Sequence, residues 1–578
     1  MSEIETKIAA AQRGLAAGDT VTALNLLAGL TDPAAIHLRA LALRRAGRNV
    51  EARAAFEQVL AAAPDDPQLL NNFANLLRQT GEKEEALALY ARALAAEPGY
   101  RDAAFNQALL VAELGRLDEA LALLSALCSA HPGDTRAHSA RGSVLRQLLR
   151  HGEAADAYER ALAADPRLPT ALKGRAMIGL ERGEADAVER FKLAIAADPA
   201  DFGTLHSYAE ALEAAGRSDA TVMLENLLVI RPDWVEGHAL LARIRAEQGD
   251  PDCAAGMRDA VASQPDNRAL AIAYAATLAA SEQWTEAVAA LPAGDAALDA
   301  LRGQYLVEAG EPDKALALLG DGGDRPDALI TIGRAYYYQG DADAAVAALE
   351  RAVALAPDAI GAWGLLELGW RLKGDARAEW LSGQTGLVET RDLGLDAGEL
   401  FDLAALLRQL HRTRTHPIGQ SLRGGTQTRG RLFLRQEPEL ARLHEALNAA
   451  VADHMAGLPA ADPEHPLLRH RDAAVAIAGS WSVRLSGAGF HVNHIHPGGL
   501  LSSACYISLP ETIGDGDSRD GWLELGRPPA ELGLALEPLA TIEPRPGRLA
   551  LFPSYLFHGT RPFRDGERLT VAFDVVTR

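Results

Sequence analysis

Cysteine is nearly missing from this chain: only Cys128, Cys253 and Cys505 occur in 578 residues. They are odd in number and far apart, which excludes a disulfide framework and points to a reducing, cytoplasmic compartment. Long apolar runs are missing too. No window approaches roughly 18 uninterrupted apolar residues, so no membrane span is expected. The opening MSEIETKIAAAQRG has no apolar core behind basic residues and does not read as a secretory signal. Positive charge is in deficit, with a net charge of -21. Such a surface repels phosphate backbones and excludes nucleic acid as a partner of the whole molecule. Aromatic residues make up only 5%, and alanine is abundant before residue 380, which favours close-packed helices with small side chains. The chain is longer than one core usually organises, so at least two domains are expected.

One stretch reverses the charge. Between Leu403 and Gln436 there is no Asp or Glu, while Arg408, Arg412, Arg414, Arg423, Arg429, Arg431 and Arg435 occur. A solvated or internally paired face is the expected reading, and a surface for an acidic partner is the alternative.

Prolines keep a fixed beat. Pro64, Pro98, Pro132 and Pro166 are 34 residues apart, and Pro199, Pro232 and Pro265 continue at 33. Gly47, Gly81, Gly115, Gly183, Gly216 and Gly249 keep the same time, with Leu149 filling one vacant beat. A fixed period of this size marks a solenoid of helical hairpins. In the unit 67–100, Leu70, Phe73 and Leu77 share one face of a first helix. Gly81 stands where that helix should end in a left-handed cap. Ala86, Tyr90, Ala93 and Leu94 line a second helix, which Pro98 stops.

This pattern resembles the tetratricopeptide repeat. Ala74, Ala86, Tyr90 and Pro98 fill its small, small, aromatic and proline places, as do Ala40, Ala52, Phe56 and Pro64, and Gly142, Ala154, Tyr158 and Pro166. The resemblance runs over roughly residues 5–375, weakens at 268–327, and returns near 328–358 with Gly340 and Pro357. Such arrays commonly hold a peptide or protein segment in a groove, and that is the partner expected here. Self-association is a further possibility.

Near residue 380 the rhythm stops. Residues 396–411 and 437–455 still read as helices. From Ala474 onward come short apolar runs broken by turn residues: AVAIAGSWSVRL, LLSSACYISLP, GWLELG, RLALFPSYLF and RLTVAFDVV. These read as the strands of a small barrel or sandwich.

The chemistry lies in GFHVNHIHPGG (489–499). His494 and His496 are two apart, so on a strand both imidazoles face one side. Imidazole suits Fe, Zn, Cu and Ni. His558, after a strand and turn, is the best candidate for a third ligand. Ten residues on, Arg568 and Thr570 point the same way along a strand and can anchor a carboxylate by charge-assisted bonds. No Gly-x-Ser-x-Gly elbow or Cys-His pair with an orienting acid is evident, which sets nucleophilic catalysis aside.

These motifs resemble the Fe(II)/2-oxoglutarate oxygenases with a double-stranded β-helix, whose pattern is His-x-Asp/Glu, a distal His, and an Arg-x-Ser/Thr about ten residues later. QSLRGGTQT (420–428), HIHPGGLLSSACYISLP (494–510), GWLELG (521–526) and LFPSYLFHGTRPF (551–563) are similar to a bacterial branch often fused to tetratricopeptide repeats. The resemblance covers roughly residues 415–578. It implies an all-α tetratricopeptide-repeat superhelix at 1–378, followed at 379–578 by an oxygenase domain with flanking helices. The jelly-roll core of that domain would span about 474–578. It also implies Fe(II) on His494, His496 and His558, and 2-oxoglutarate as cosubstrate on Arg568 and Thr570. Tyr506 and Trp481 would line its pocket, and the reaction would be hydroxylation of a peptide or protein.

One departure stands out. Where the superfamily has a carboxylate ligand, this chain has His496, which leaves the site one charge more positive. A carboxylate of the loop GDGDSRD (514–520), a water, or His491 could complete the shell instead. A three-His iron dioxygenase that does not use 2-oxoglutarate, or a catalytically silent interaction scaffold, are the alternatives.

Overall fold

The computed structural model describes residues 3–511, 513 and 518–578. Two compact units emerge from the packing: residues 1–180 with 185–204, and residues 181–184 with 205–578.

The first unit is built of paired helices with the expected period. The helix Pro67–Thr80 starts on an Asp66 cap and ends at Gly81 with φ 101°. Its partner Lys83–Ala96 buries Ala86, Leu89, Tyr90 and Ala93. Small residues are explained by what they face. A Cβ at Gly142 would stand 2.8 Å from the Tyr158 ring, and one at Gly174 would stand 2.2 Å from it. Tyr158 therefore wedges between the first helix of its own repeat and that of the next, and only a residue without a side chain leaves it room. At the vacant glycine beat, Leu149 itself takes the left-handed conformation, φ 61°. The hairpin geometry overrides the residue's preference there, at a cost of about 1–2 kcal/mol.

In the second unit the repeats run on through Arg268–Ala280, Trp284–Ala290, Asp299–Glu308, Pro312–Leu319, Pro326–Tyr338, Ala342–Leu355 and Ile360–Lys373. The shortened spacing at 268–327 corresponds to shortened second helices of seven and eight residues.

Among the described residues nine strands follow: β1 Glu389–Asp392, β2 Leu422–Gln427, β3 Val475–His491, β4 Leu501–Ser508, β5 Leu523–Leu525, β6 Ala540–Ile542, β7 Arg548–Pro553, β8 His558–Thr560 and β9 Glu567–Thr577. They form a six-stranded sheet in the order β1-β7-β4-β9-β3-β2 and a three-stranded sheet in the order β6-β5-β8. All pairings are antiparallel. A bridge between His494 and His558 adds the histidine segment to the smaller sheet. Interleaving of the two sheets along the chain is the double-stranded β-helix expected from the motifs. Five strands were legible as apolar runs. β1, β2, β6 and β8 were not, because they are short and carry polar or glycine residues.

Alternation along β9 divides its two faces. Leu569, Val571, Phe573 and Val575 are fully buried among residues of the helices Ala397–Leu410 and Pro438–Gly457, including Leu403, Leu407, Leu443 and Leu447. Arg568, Thr570, Ala572 and Asp574 face the other way, into a cavity. The arginine-rich stretch is paired internally. Arg429 bridges Glu213 and Glu247, Arg423 meets Glu282, Arg408 meets Glu567 at 2.7 Å, and Arg412 donates to the carbonyl of Ala214 at 2.8 Å. Arg412, Arg423 and Arg429 fasten this segment to the repeats of the same unit, and Arg408 ties it to β9.

No helix among the described residues is long and apolar enough to cross a membrane.

Candidate active site

The three predicted histidines converge. Ring nitrogens of His494, His496 and His558 all lie within 4.8 Å of one another, and the Nε2 atoms of His494 and His496 are 3.0 Å apart. Local backbone fixes two of the rings. His494 Nδ1 lies 2.8 Å from the carbonyl of Val492, and His558 Nδ1 lies 3.0 Å from that of Leu556. His496 Nδ1 lies 2.5 Å from Asp574 Oδ1. A carbonyl or ionised carboxylate only accepts, so each Nδ1 carries the proton and each Nε2 keeps its lone pair. Three lone pairs turned toward one point repel unless a cation lies between them. The donor set therefore fits a metal ion, and neutral imidazoles held by acceptors are the usual surroundings of metal-binding histidines.

Burial keeps two of the rings, those of His494 and His558, from taking up a second proton. Burial, reinforced by neighbouring His496, lowers the pKa of His494 to about 3. Burial first, and then His494 and His496, holds His558 well below its ordinary value. Both rings are thus available as ligands at neutral pH.

The support behind His558 comes from the last repeat helix. A Cβ at Gly364 would come within 2.6 Å of the Tyr555 carbonyl, so helix and turn are in direct backbone contact. The Tyr555 hydroxyl donates to the Leu381 carbonyl at 2.5 Å, which pins the turn that presents His558.

Arg568 and Thr570 line the same cavity as the histidines. Arg568 is 3% exposed. One guanidinium nitrogen donates to the Gly521 carbonyl at 2.8 Å, while its buried Nε has no protein partner among the described residues. An orphaned guanidinium N–H beside a hydroxyl-bearing strand neighbour is a carboxylate site in waiting, and it fits 2-oxoglutarate. Trp481 also lines the cavity, with its ring stacked 5.7 Å from His496. Tyr506 is fully buried and lies beneath the Arg568 guanidinium instead of on the cavity wall. Its hydroxyl likewise lacks a partner among the described residues.

His491 stands beside the trio and outside it, its Nδ1 3.1 Å from Ser421 Oγ, which also reaches His494 at 3.2 Å. Asp515 and Asp517 of the loop proposed as an alternative ligand source lie outside the described residues. Asp520 turns to Arg564 at 3.5 Å. Two residues escaped the sequence reading. Ser421 comes from β-sheet pairing 70 residues away from its partner. Asp574 lies in an apolar strand where an alternating pattern gives no hint of its neighbour.

The cavity holds about 930 Å³. Its wall opposite the sheet comes from the repeats: Ala279, Glu282, Trp284, Tyr305, Glu308 and Arg334 all line it.

Residues 479–574 match the family model described as "Putative 2OG-Fe(II) oxygenase". Tetratricopeptide-repeat models match residues 37–100, 71–135 and 139–202, and another matches 326–359. No curated protein matches this chain. Among solved structures, a tetratricopeptide repeat protein from Parabacteroides merdae is 21% identical, with a TM-score of 0.35, over 42% of this chain and 97% of that one. PilF of Pseudomonas aeruginosa is 19% identical, with a TM-score of 0.32, over 36% and 94%. A thermophilic tetratricopeptide-repeat protein of Thermus thermophilus is 24% identical, with a TM-score of 0.28, over 31% and 99%. The chain carries tetratricopeptide repeats followed by a C-terminal domain of that 2-oxoglutarate/Fe(II) oxygenase family.

Proposed function

We propose that this protein is an Fe(II)- and 2-oxoglutarate-dependent oxygenase that hydroxylates a side chain of a peptide or protein segment held by its repeats. One observation carries the reading: the converging Nε2 atoms, the orphaned Arg568 Nε and the repeat residues Trp284 and Tyr305 belong to a single cavity. Residues 1–378 serve as the substrate-holding repeat region and residues 379–578 as the catalytic domain.

His494, His496 and His558 hold the metal through Nε2. Arg568 and Thr570 hold the distal carboxylate of the cosubstrate, with the guanidinium supplying charge and geometry. When bound, iron and 2-oxoglutarate would activate dioxygen, the oxidant for breaking an unactivated C–H bond, with 2-oxoglutarate leaving as succinate and CO2. The chain's task would be to orient the cosubstrate, bring the substrate's carbon beside the three histidines, and exclude water. Phe552 and Trp481 give the inner wall its apolar character. The three cysteines are free and buried, which supports a reducing, cytoplasmic setting.

Succinate formation by protein loaded with Fe(II) under anaerobic conditions and then exposed to oxygen tests the reading. Turnover stimulated by a cognate peptide is expected; iron binding with no 2-oxoglutarate consumption under any offered peptide sinks it. The all-histidine trio favours one other reading, a three-His dioxygenase without the cosubstrate. Arg568→Ala separates the two, abolishing activity only in a 2-oxoglutarate enzyme. Metal that stays sub-stoichiometric despite added Fe(II) would point instead to a silent scaffold.

A further inference from the structure

Among the described residues four acids line the cavity. Glu282 pairs with Arg423, and Glu308 and Glu531 both approach Arg334. Asp574 differs: among the described residues its ion-pair partner is an imidazole, the Nδ1 of His496 at 2.5 Å. The three histidines are otherwise held alike, but His494 and His558 are held by neutral carbonyl oxygens. Only His496 is held by a carboxylate, and it is His496 that occupies the place of the missing acidic ligand.

A divalent ion on three neutral imidazoles in a partly desolvated cavity carries its full charge in a medium that disfavours it. A carboxylate one bond removed lowers that cost. It fixes the Nδ1–H tautomer, turns Nε2 toward the other two rings, and raises the basicity of the ligating nitrogen. The strand register makes this possible. Asp574 lies on β9 between Gly479 of β3 and Ser502 of β4, on the face that carries Thr570 and Arg568 toward the cavity.

We propose that Asp574 is the positioning residue of the metal site, acting through His496 and supplying the negative charge that the His-x-His pair lacks. This rests on the reading of the three histidines as metal ligands. Substrate and cosubstrate need not touch Asp574 for it to act.

The full-length protein tests it, with Fe(II) under anaerobic conditions and Co(II) as a visible-absorption probe, both titrated against a chelator. Asp574→Asn should weaken either metal about 10–100-fold, shift the Co(II) bands, and leave the unfolding midpoint of the metal-free protein unchanged. The double variant His496→Asp/Asp574→Asn places a carboxylate directly at the ligand position. It should recover affinity to within a few-fold of the natural protein. Affinity of Asp574→Asn within about two-fold of the natural protein overturns the inference while leaving the ligand reading intact. A lowered metal-free midpoint together with no recovery in the double variant also overturns it, and makes Asp574 a structural residue. A natural protein that binds neither metal overturns the ligand reading and this inference together.

Discussion

The guanidinium carbon of Arg568 stands 5.2 Å from the centroid of the Tyr506 ring. Both groups are buried, and burial acts on them in opposite senses, lowering the arginine and raising the phenol. The ring is a platform that holds a cation in place before any carboxylate arrives. Tyr506→Leu should therefore weaken 2-oxoglutarate binding by about 0.5–2 kcal/mol without changing metal affinity. Calorimetric titration in the presence of a redox-inert metal measures both, and an equal loss of metal binding would contradict the assignment.

Leu149 offers a gain in stability. It holds φ 61° where other repeats place glycine, and its side chain is 40% exposed. Leu149→Gly removes the left-handed strain and sacrifices little packing, against the greater entropy of glycine in the unfolded chain. A net stabilisation on the order of 0.5–1 kcal/mol is expected from these opposing terms. Chemical denaturation of the full chain reads it; destabilisation would mean that the leucine side chain contributes more than its exposure indicates.

Arg429 is the centre of the fastening between the segment before the barrel and the repeats of its own unit. It meets Glu213 and Glu247, and Glu247 is 1% exposed. Removing the cation leaves both acids to share the more distant Arg243, at 3.7 and 3.4 Å, in a poorly solvated place. Arg429→Ala should cost about 3–5 kcal/mol, read as an earlier denaturation midpoint of the second unit. A loss below about 1 kcal/mol, the range of exposed pairs, would show that solvent reaches the cluster.

Glu367 gives a pH dependence with a defined sign. It lies on the last repeat helix, 1% exposed, and burial raises its pKa to about 7 despite Arg371 nearby. The folded protein thus holds this proton more tightly than the unfolded chain, whose value is the ordinary 4.5. The stability it contributes is fully present below that ordinary value and is lost as pH rises through about 7. Glu367→Gln should be nearly neutral at pH 5 and stabilising at pH 8, by on the order of 2 kcal/mol. Thermal unfolding of both proteins across this range checks it, and a pH-independent difference would refute it.

Features set by local backbone and side-chain chemistry were legible in the sequence, and those set by distant neighbours were not. Pro98, Gly81 and Tyr90 announce their hairpin because each is a local necessity: a stop, a left-handed cap and a wedge between helices. His494, His496 and Arg568 were legible for a similar reason. Strand geometry imposes a period of two, and metal or carboxylate chemistry tolerates few residue types. The arginine-rich segment left two readings open, since seven like charges say nothing about where Glu213, Glu247 or Glu282 will be.

The sequence by itself determined the repeats, the β-strand-rich C-terminal part, and the histidines and arginine with which a metal and a carboxylate could be held. Those features are local, set by backbone conformation and by the side-chain chemistry of a few positions. Only tertiary structure decided that Asp574 stands behind His496, that Tyr506 supports Arg568, and that Trp284 and Tyr305 share the histidines' cavity. These neighbours are separated by tens to hundreds of residues, and their approach depends on strand register and on how the late repeats pack against the sheet. The charge missing from the ligand motif was in the chain throughout, 78 residues from the histidine that accepts its support.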